Sequence, residues 1–290
     1  MLADIRFLTE PFQAPYMQRA LTAIVLLAVL AGVVGVVVQL RRLTFMSDAL
    51  THTVFPGVAI AFFTSNSLFV GALTAGVLSA TLLTFASRSR RIDDEAFLAL
   101  LLATFFSVGV AVVSRGNTFT ADLNALLFGR ALTITRQEIV ETAIVAVVVL
   151  AVLFALRKEL VLRAFDETAA VALGYPVWLL DLVLNILVAL VVVAAVRAVG
   201  TALVVALVIT PAATARLLTT NLRAMLAVSV GLGIVGGWLG LVLSYDVSVH
   251  HDVRLATGPT IVVVLTAIFV LVAAGQAVRR RGATRRVVPA

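Results

Sequence analysis

Nine apolar runs of about twenty residues, parted by short clusters of charge, leave this chain few ways to fold. A helix needs roughly 20 apolar residues to cross a hydrocarbon core of about 30 Å, and in lipid every backbone polar group must be satisfied within the spanning segment. The runs fall near 20–40, 45–64, 68–86, 95–114, 137–156, 177–197, 200–219, 223–243 and 258–276. Hydrophobic residues make up 62% of the 290 and charged ones 13%, with a mean hydropathy of +1.13. That balance excludes an ordinary water-soluble domain and excludes disorder. The expected fold is all-α: a polytopic membrane helical bundle of eight to nine transmembrane helices, one transmembrane domain over 1–290. The run at 200–219 carries Pro211 and several threonines, so a broken or re-entrant segment is the alternative there.

Charge placement orients the bundle. Basic residues number 22, and 15 of them fall on alternate connections: Arg41 and Arg42; Arg88, Arg90 and Arg91; Arg157, Lys158 and Arg163; Arg216 and Arg223; and the tail 277–290. The positive-inside rule makes that side cytoplasmic, with the C-terminus inside and the N-terminus extracytoplasmic. The first 18 residues lack the basic and apolar regions of a cleaved signal, so the first span is expected to act as an uncleaved one. The net charge of +7 is read as loops held against anionic lipid. No aromatic-and-basic domain exists to carry a nucleic-acid groove, which excludes nucleic acid as a partner. With no cysteine, any metal must be held by oxygen or imidazole nitrogen.

Two connections stand out. On the outer side, Asp122–Phe128 is a short amphipathic stretch before Gly129 that can lie flat at the interface. On the inner side, the segment 157–176 holds a capped helix. Asp166 caps its N-terminus, Gly174 suits the position just past its end, and Pro176 forbids continuation.

Polar residues inside spans are costly and are functional candidates by default. Asp48 and His52 stand one turn apart on one helix face, where both can reach one cation. Counted at 1.5 Å per residue from Arg42, His52 lies roughly 15 Å deep, near the bilayer midplane. Pro56 deprives the His52 carbonyl of its helical donor, and with Gly57 beside it the helix can kink and offer another oxygen ligand. Metal handling, a proton relay and a structural ion pair all fit this spacing. Ser47, Thr51 and Thr53 are candidate supporting partners. His250, His251 and Asp252, between the last two spans, form a secondary candidate cation site at the outer mouth. Asp181 and Asn185 read as interhelical hydrogen-bonding residues.

The spacing Gly231, Gly233, Gly236 matches a dinucleotide fingerprint but sits inside an apolar span with no preceding strand, so that reading fails. With Gly237 and Gly240 these residues suit close helix packing. The only lysine, Lys158, lies between Arg157 and Glu159, so the chain lacks the Gly-Lys-Ser/Thr phosphate-binding loop. Any ATP that drives transport must be hydrolysed by another polypeptide.

Four segments together resemble the membrane permease subunit of bacterial ABC importers for manganese, zinc or iron, the metal ABC-3 type permease family. They are Leu40–Ala61 (LRRLTFMSDALTHTVFPGVAIA), Phe165–Pro176 (FDETAAVALGYP), Gly200–Leu218 (GTALVVALVITPAATARLL) and Gly258–Val264 (GPTIVVV). The resemblance covers nearly the whole chain. It implies a multi-pass protein of the bacterial plasma membrane, not itself an enzyme, working as a homodimer or permease pair with two cytoplasmic ABC ATPase subunits and an extracytoplasmic metal-binding protein. It also implies that Asp48 and His52 match the family's intramembrane metal site. Residues 165–176 match the helix that docks into the ATPase, with Asp166, Glu167, Ala169, Ala170, Ala172, Leu173 and Gly174 forming the coupling surface. No cofactor is expected to stay bound; the cargo is Mn²⁺ or Zn²⁺, and ATP is used by the partner. A relatively hard Asp, His and carbonyl set favours manganese, although zinc binds such ligands at least as well, which assigns selection to the binding protein. An ion-coupled secondary carrier using the same pair as a proton relay is the alternative. The chain departs from the family pattern at 246–257, where a longer outer link precedes Gly-Pro-Thr.

Overall fold

A computed structural model describes residues 9–41, 43–64, 67–87, 94–114, 131–250 and 255–285. Apolar side chains on all sides and few strand-favouring turns make helices throughout. In chain order they are α1 (Pro15–Leu40), α2 (Thr44–Thr53), α3 (Phe55–Phe63), α4 (Leu68–Ser87), α5 (Asp94–Val113), α6 (Arg136–Ala155), α7 (Arg157–Phe165), α8 (Glu167–Ala172), α9 (Val177–Val199), α10 (Thr201–Leu218), α11 (Leu222–His250) and α12 (Thr257–Arg285). Among the described residues, eight helices are long and apolar enough to cross a membrane: α1, α4, α5, α6, α9, α10, α11 and α12. The protein is a polytopic all-α membrane bundle.

The run at 45–64 is not one helix. It divides at Val54 into α2 and α3, while Val54 itself keeps right-handed helical dihedrals (φ −69°, ψ −28°), so the helix is interrupted without the backbone leaving the helical region. Pro56 supplies the cause, because it lacks the N–H that would close the turn onto the His52 carbonyl. Gly57 serves a second purpose. A Cβ on it would strike the carbonyl oxygen of Gly71, and a Cβ on Gly71 would strike that of Gly57, so these two glycines allow α3 and α4 to cross at backbone contact. Pro211, by contrast, leaves α10 continuous over Thr201–Leu218. The sharp reversal before α10 is made by Gly200 in a positive-φ conformation (81°).

Helices α1, α9 and α10 carry most of the fully buried side chains, including Ile24, Leu27, Leu184, Leu203 and Leu207. Around them α11 packs on α1, α4 on α9, and α12 on α10 and α11. The glycine-rich part of α11 works on two faces. Gly233 and Gly237 meet Ala28 and Ile24 of α1, Gly236 and Gly240 meet Leu265 and Ile261 of α12, and Gly231 meets nothing within 4 Å. Ser229 fastens the α1 contact by donating to the Gly32 carbonyl at 3.0 Å.

Three elements exceed their sequence-based extents. The segment 157–176 contains two helices, α7 and α8, where one was expected. Helix α11 runs to His250, so the first part of the expected outer link at 246–257 is helical. Helix α12 continues to Arg285 through most of the basic tail. The amphipathic stretch 122–128, the arginines 88, 90 and 91, and residues His251 and Asp252 lie outside the described residues.

Candidate metal site and coupling surface

Helix α2 buries one side against α5, α9 and α10 and turns the other away from the bundle. The outward face carries Phe45, Asp48 and His52 at helical spacing, with Phe45 70% exposed. His52 Nε2 lies 4.0 Å from Asp48 Oδ1, and the two side chains are 37% and 47% exposed. They are close enough to share one ion and open enough to receive it from outside the chain. Ser47, Thr51 and Thr53 are buried on the other face. Thr51 donates to the Asp48 carbonyl at 2.7 Å and Thr53 to the Leu50 carbonyl at 3.1 Å, so these hydroxyls brace the backbone rather than the carboxylate or imidazole. Among the described residues, no group of three or more His, Asp or Glu side chains gathers. Asp48 and His52 thus face outward as a pair, with no third such side chain gathered beside them among the described residues.

At the arginine-rich end of the bundle, α8 forms as its caps dictate. Asp166 accepts from the Ala169 amide at 2.8 Å, a cap worth about 1 kcal/mol. Gly174, at φ 80°, ends the helix, with Tyr175 N–H donating to the Ala170 carbonyl at 3.1 Å and Gly174 N–H to that of Val171 at 3.0 Å. Glu167, Ala172, Leu173 and Gly174 are exposed, Ala169 is half-buried, and Ala170 is fully buried, where it seats the helix against the bundle. Sequence reasoning missed the apolar flank. Val171 of α8, with Phe165 (72% exposed), Leu173, Tyr175 and Trp178 flanking the helix in the chain, presents a hydrophobic surface.

Beside α8 opens a cavity of about 910 Å³ lined by Arg41, Arg163, Arg216, Glu167, Asp181 and Asn185, among others. Asn185 donates to Thr84 Oγ1 at 2.8 Å, an interhelical bond of the kind expected. Asp181 does more: it receives Arg41 at 2.6 Å and Arg163 at 3.1 Å. At the opposite end of α9, Arg197 pairs with Glu141 at 2.6 Å and lies over the Phe69 ring.

At the end of α11, His250 Nδ1 lies 3.0 Å from Asp246 Oδ1, with the histidine 55% exposed. Asp246 was missed in the sequence because its neighbourhood looked like a loop; once the helix extends to His250, the i, i+4 spacing is plain.

The chain belongs to the ABC 3 transport family, whose model matches residues 13–276. It is 35% identical over 265 residues to the manganese transport system membrane protein MntC of Halalkalibacterium halodurans, covering 91% of this chain and 89% of that one. It is 32% identical over 264 residues to the chelated iron transport system membrane protein YfeD of Yersinia pestis, covering 91% and 86%. Among solved structures, PsaBC from Streptococcus pneumoniae in complex with Fab superposes with a TM-score of 0.80 at 31% identity, over 94% of this chain and 95% of that one.

Proposed function

We propose that this chain is the permease subunit of an ATP-driven importer of a divalent transition metal, with manganese as the favoured cargo and zinc or iron as alternatives. The observation that carries this reading is the Asp48–His52 pair, a carboxylate and an imidazole on the outward face of a short helix that breaks at Val54, in a bundle of membrane spans. An intramembrane charge left facing away from its own bundle is costly unless it serves a pathway. The named manganese and iron transport relatives support the cargo class.

Two ligands per chain are too few for a transition metal, so a second copy supplies the matching Asp48 and His52 across a homodimer, and the His52 carbonyl and water complete the shell. A binding protein on the extracytoplasmic side delivers the ion. ATPase subunits dock on α8 and its apolar flank at the cytoplasmic side, and nucleotide-driven closure switches the side to which the α2 faces open. The chain itself performs no hydrolysis, and its C-terminus is cytoplasmic and its N-terminus extracytoplasmic.

The test is co-purification followed by transport. Tagged permease co-expressed with its ATPase subunits is expected to bring them down, and vesicles containing both are expected to accumulate Mn²⁺ only with ATP. Ala172→Glu, which places charge on the exposed face of α8, is expected to abolish both association and uptake while the protein still inserts. Uptake by vesicles lacking ATPase subunits would favour an ion-coupled secondary carrier in its place.

A further inference from the structure

The carboxylate of Asp181 is shared by two guanidiniums that belong to different parts of the bundle. Arg41, at the C-terminal end of α1, donates through Nη2 to Oδ1 at 2.6 Å, and Arg163 of α7 donates through its own Nη2 to Oδ2 at 3.1 Å. The other arm of Arg163, Nη1, reaches Glu167 Oε2 in the first turn of α8 at 2.6 Å. Four charges therefore alternate in one line: Glu167, Arg163, Asp181, Arg41. One end lies on the helix proposed to meet the ATPase. The other lies three residues before α2 begins at Thr44, and Asp48 follows one turn later.

Exposure is highest at the α8 end of this line and lowest at the α1 end: Glu167 is 59% exposed, Arg163 13%, Asp181 25% and Arg41 9%. The line is open where a partner docks and enclosed where it meets the α1–α2 corner. Separating the enclosed Arg41–Asp181 and Arg163–Asp181 pairs strands an uncompensated charge, so α1, α7 and α9 are held to move together, while the more exposed Arg163–Glu167 pair joins α7 to α8 across the one residue that separates them. Arginine suits the middle position because its planar fork holds two carboxylates at once, each through a different nitrogen. The corner is tied further: Arg216 of α10 donates to the Gln39 carbonyl at 3.3 Å, and Thr44 donates to the Gln39 side-chain oxygen at the same distance. Helix α9, which carries Asp181, also packs directly against α2. The cavity alongside gives the line room to shift. Three arginines on its wall make it a poor passage for a cation, which separates this network from the cargo's own path.

We propose that Asp181 and Arg163 are positioning residues that transmit displacement of α8 to the α1–α2 corner, and thereby set the orientation of the Asp48–His52 face. This rests on the reading of α8 as the ATPase-docking helix and of Asp48 and His52 as the cargo site. Neither Asp181 nor Arg163 touches the metal; they act through α2. The consequence is uncoupling: without the carboxylate at 181, the ATPase still docks and hydrolyses ATP, but its motion no longer reaches the metal face.

The experiment measures Mn²⁺ uptake and ATP hydrolysis in the same vesicles, containing permease and ATPase subunits, for the wild type, Asp181→Asn, Asp181→Glu and Arg163→Lys. Asp181→Asn is expected to retain ATPase association and hydrolysis within about threefold while uptake falls on the order of tenfold, so that metal moved per ATP drops. Asp181→Glu, which keeps the carboxylate, restores most of that ratio. Arg163→Lys gives an intermediate ratio, because one ammonium cannot grip both carboxylates as the fork does. If Asp181→Asn fails to assemble, Arg163→Lys carries the test. A ratio equal to wild type in Arg163→Lys, or uptake and hydrolysis falling strictly together in every assembled variant, overturns the relay and leaves only a structural role. Wild-type vesicles that take up no Mn²⁺ with ATP overturn the transport reading itself, a failure distinct from that of the relay.

Discussion

The chain holds two aspartate–histidine pairs at the same i, i+4 spacing, Asp48–His52 and Asp246–His250, and their surroundings set them apart. In the outer pair, in the last turn of α11, the nitrogen and oxygen lie 3.0 Å apart, at hydrogen-bond distance, with the histidine more than half exposed. In the inner pair they lie 4.0 Å apart on α2, just before the break at Val54. The outer side chains satisfy each other and water can solvate what remains. The inner ones stand apart on α2, a short helix packed among the spans, and on the proposed reading an ion between them satisfies both. Equal spacing therefore does not make equal sites; solvent access and backbone continuity decide.

The largest expected difference is in transport. Asp48→Asn and His52→Ala are each expected to cut metal uptake by more than about 100-fold with insertion and assembly intact, since losing a direct ligand costs more than the 10- to 100-fold typical of outer-shell changes. Isotope uptake in vesicles or cells measures this, and wild-type uptake by either variant would remove the distinction between the pairs. Next comes the break. Pro56→Ala returns an amide donor to the His52 carbonyl and joins α2 to α3, making the inner pair resemble the outer one. Uptake is expected to fall several-fold, to roughly tenfold, while thermal stability is unchanged or higher, the proline penalty in a helix being about 3 kcal/mol. Unaltered uptake would mean that the break is a packing feature only.

The smallest effect is expected at the outer pair. Replacing Asp246 and His250 with serine should raise the metal concentration for half-maximal uptake about two- to threefold and leave the maximal rate nearly unchanged, because an exposed pair of this kind contributes little to holding an ion. A loss of maximal rate would place the outer pair in the translocation step and erase the contrast.

What the sequence discloses is what neighbouring residues impose on one another. Asp166 as a cap, Gly174 as a stop and Pro56 as a break are local events, and each occurs where composition and spacing put it. The membrane bundle follows from the apolar runs for the same reason. The Arg41–Asp181 pair joins residues 140 apart, so no spacing rule could assign its partner, although a carboxylate inside a span announces that one is needed. The Gly57–Gly71 crossing is equally invisible, because small residues suit many packings. Helix α7 lies ahead of the expected capped helix, because the charges in RKELVLR mark only a connection between spans, whereas they cover a surface helix whose Leu160 is buried.

On this reading His52, and not His250 or His251, binds the transported ion. The chain has three histidines, so His250→Ser with His251→Ser leaves His52 as the sole imidazole. Pulsed electron paramagnetic resonance on Mn²⁺ bound to the purified permease in lipid nanodiscs reports whether a histidine nitrogen coordinates the metal. The expected result is a nitrogen coupling in the wild type, kept in the double serine variant and lost in His52→Ala; a coupling that survives His52→Ala, or vanishes with the two outer histidines, contradicts the assignment.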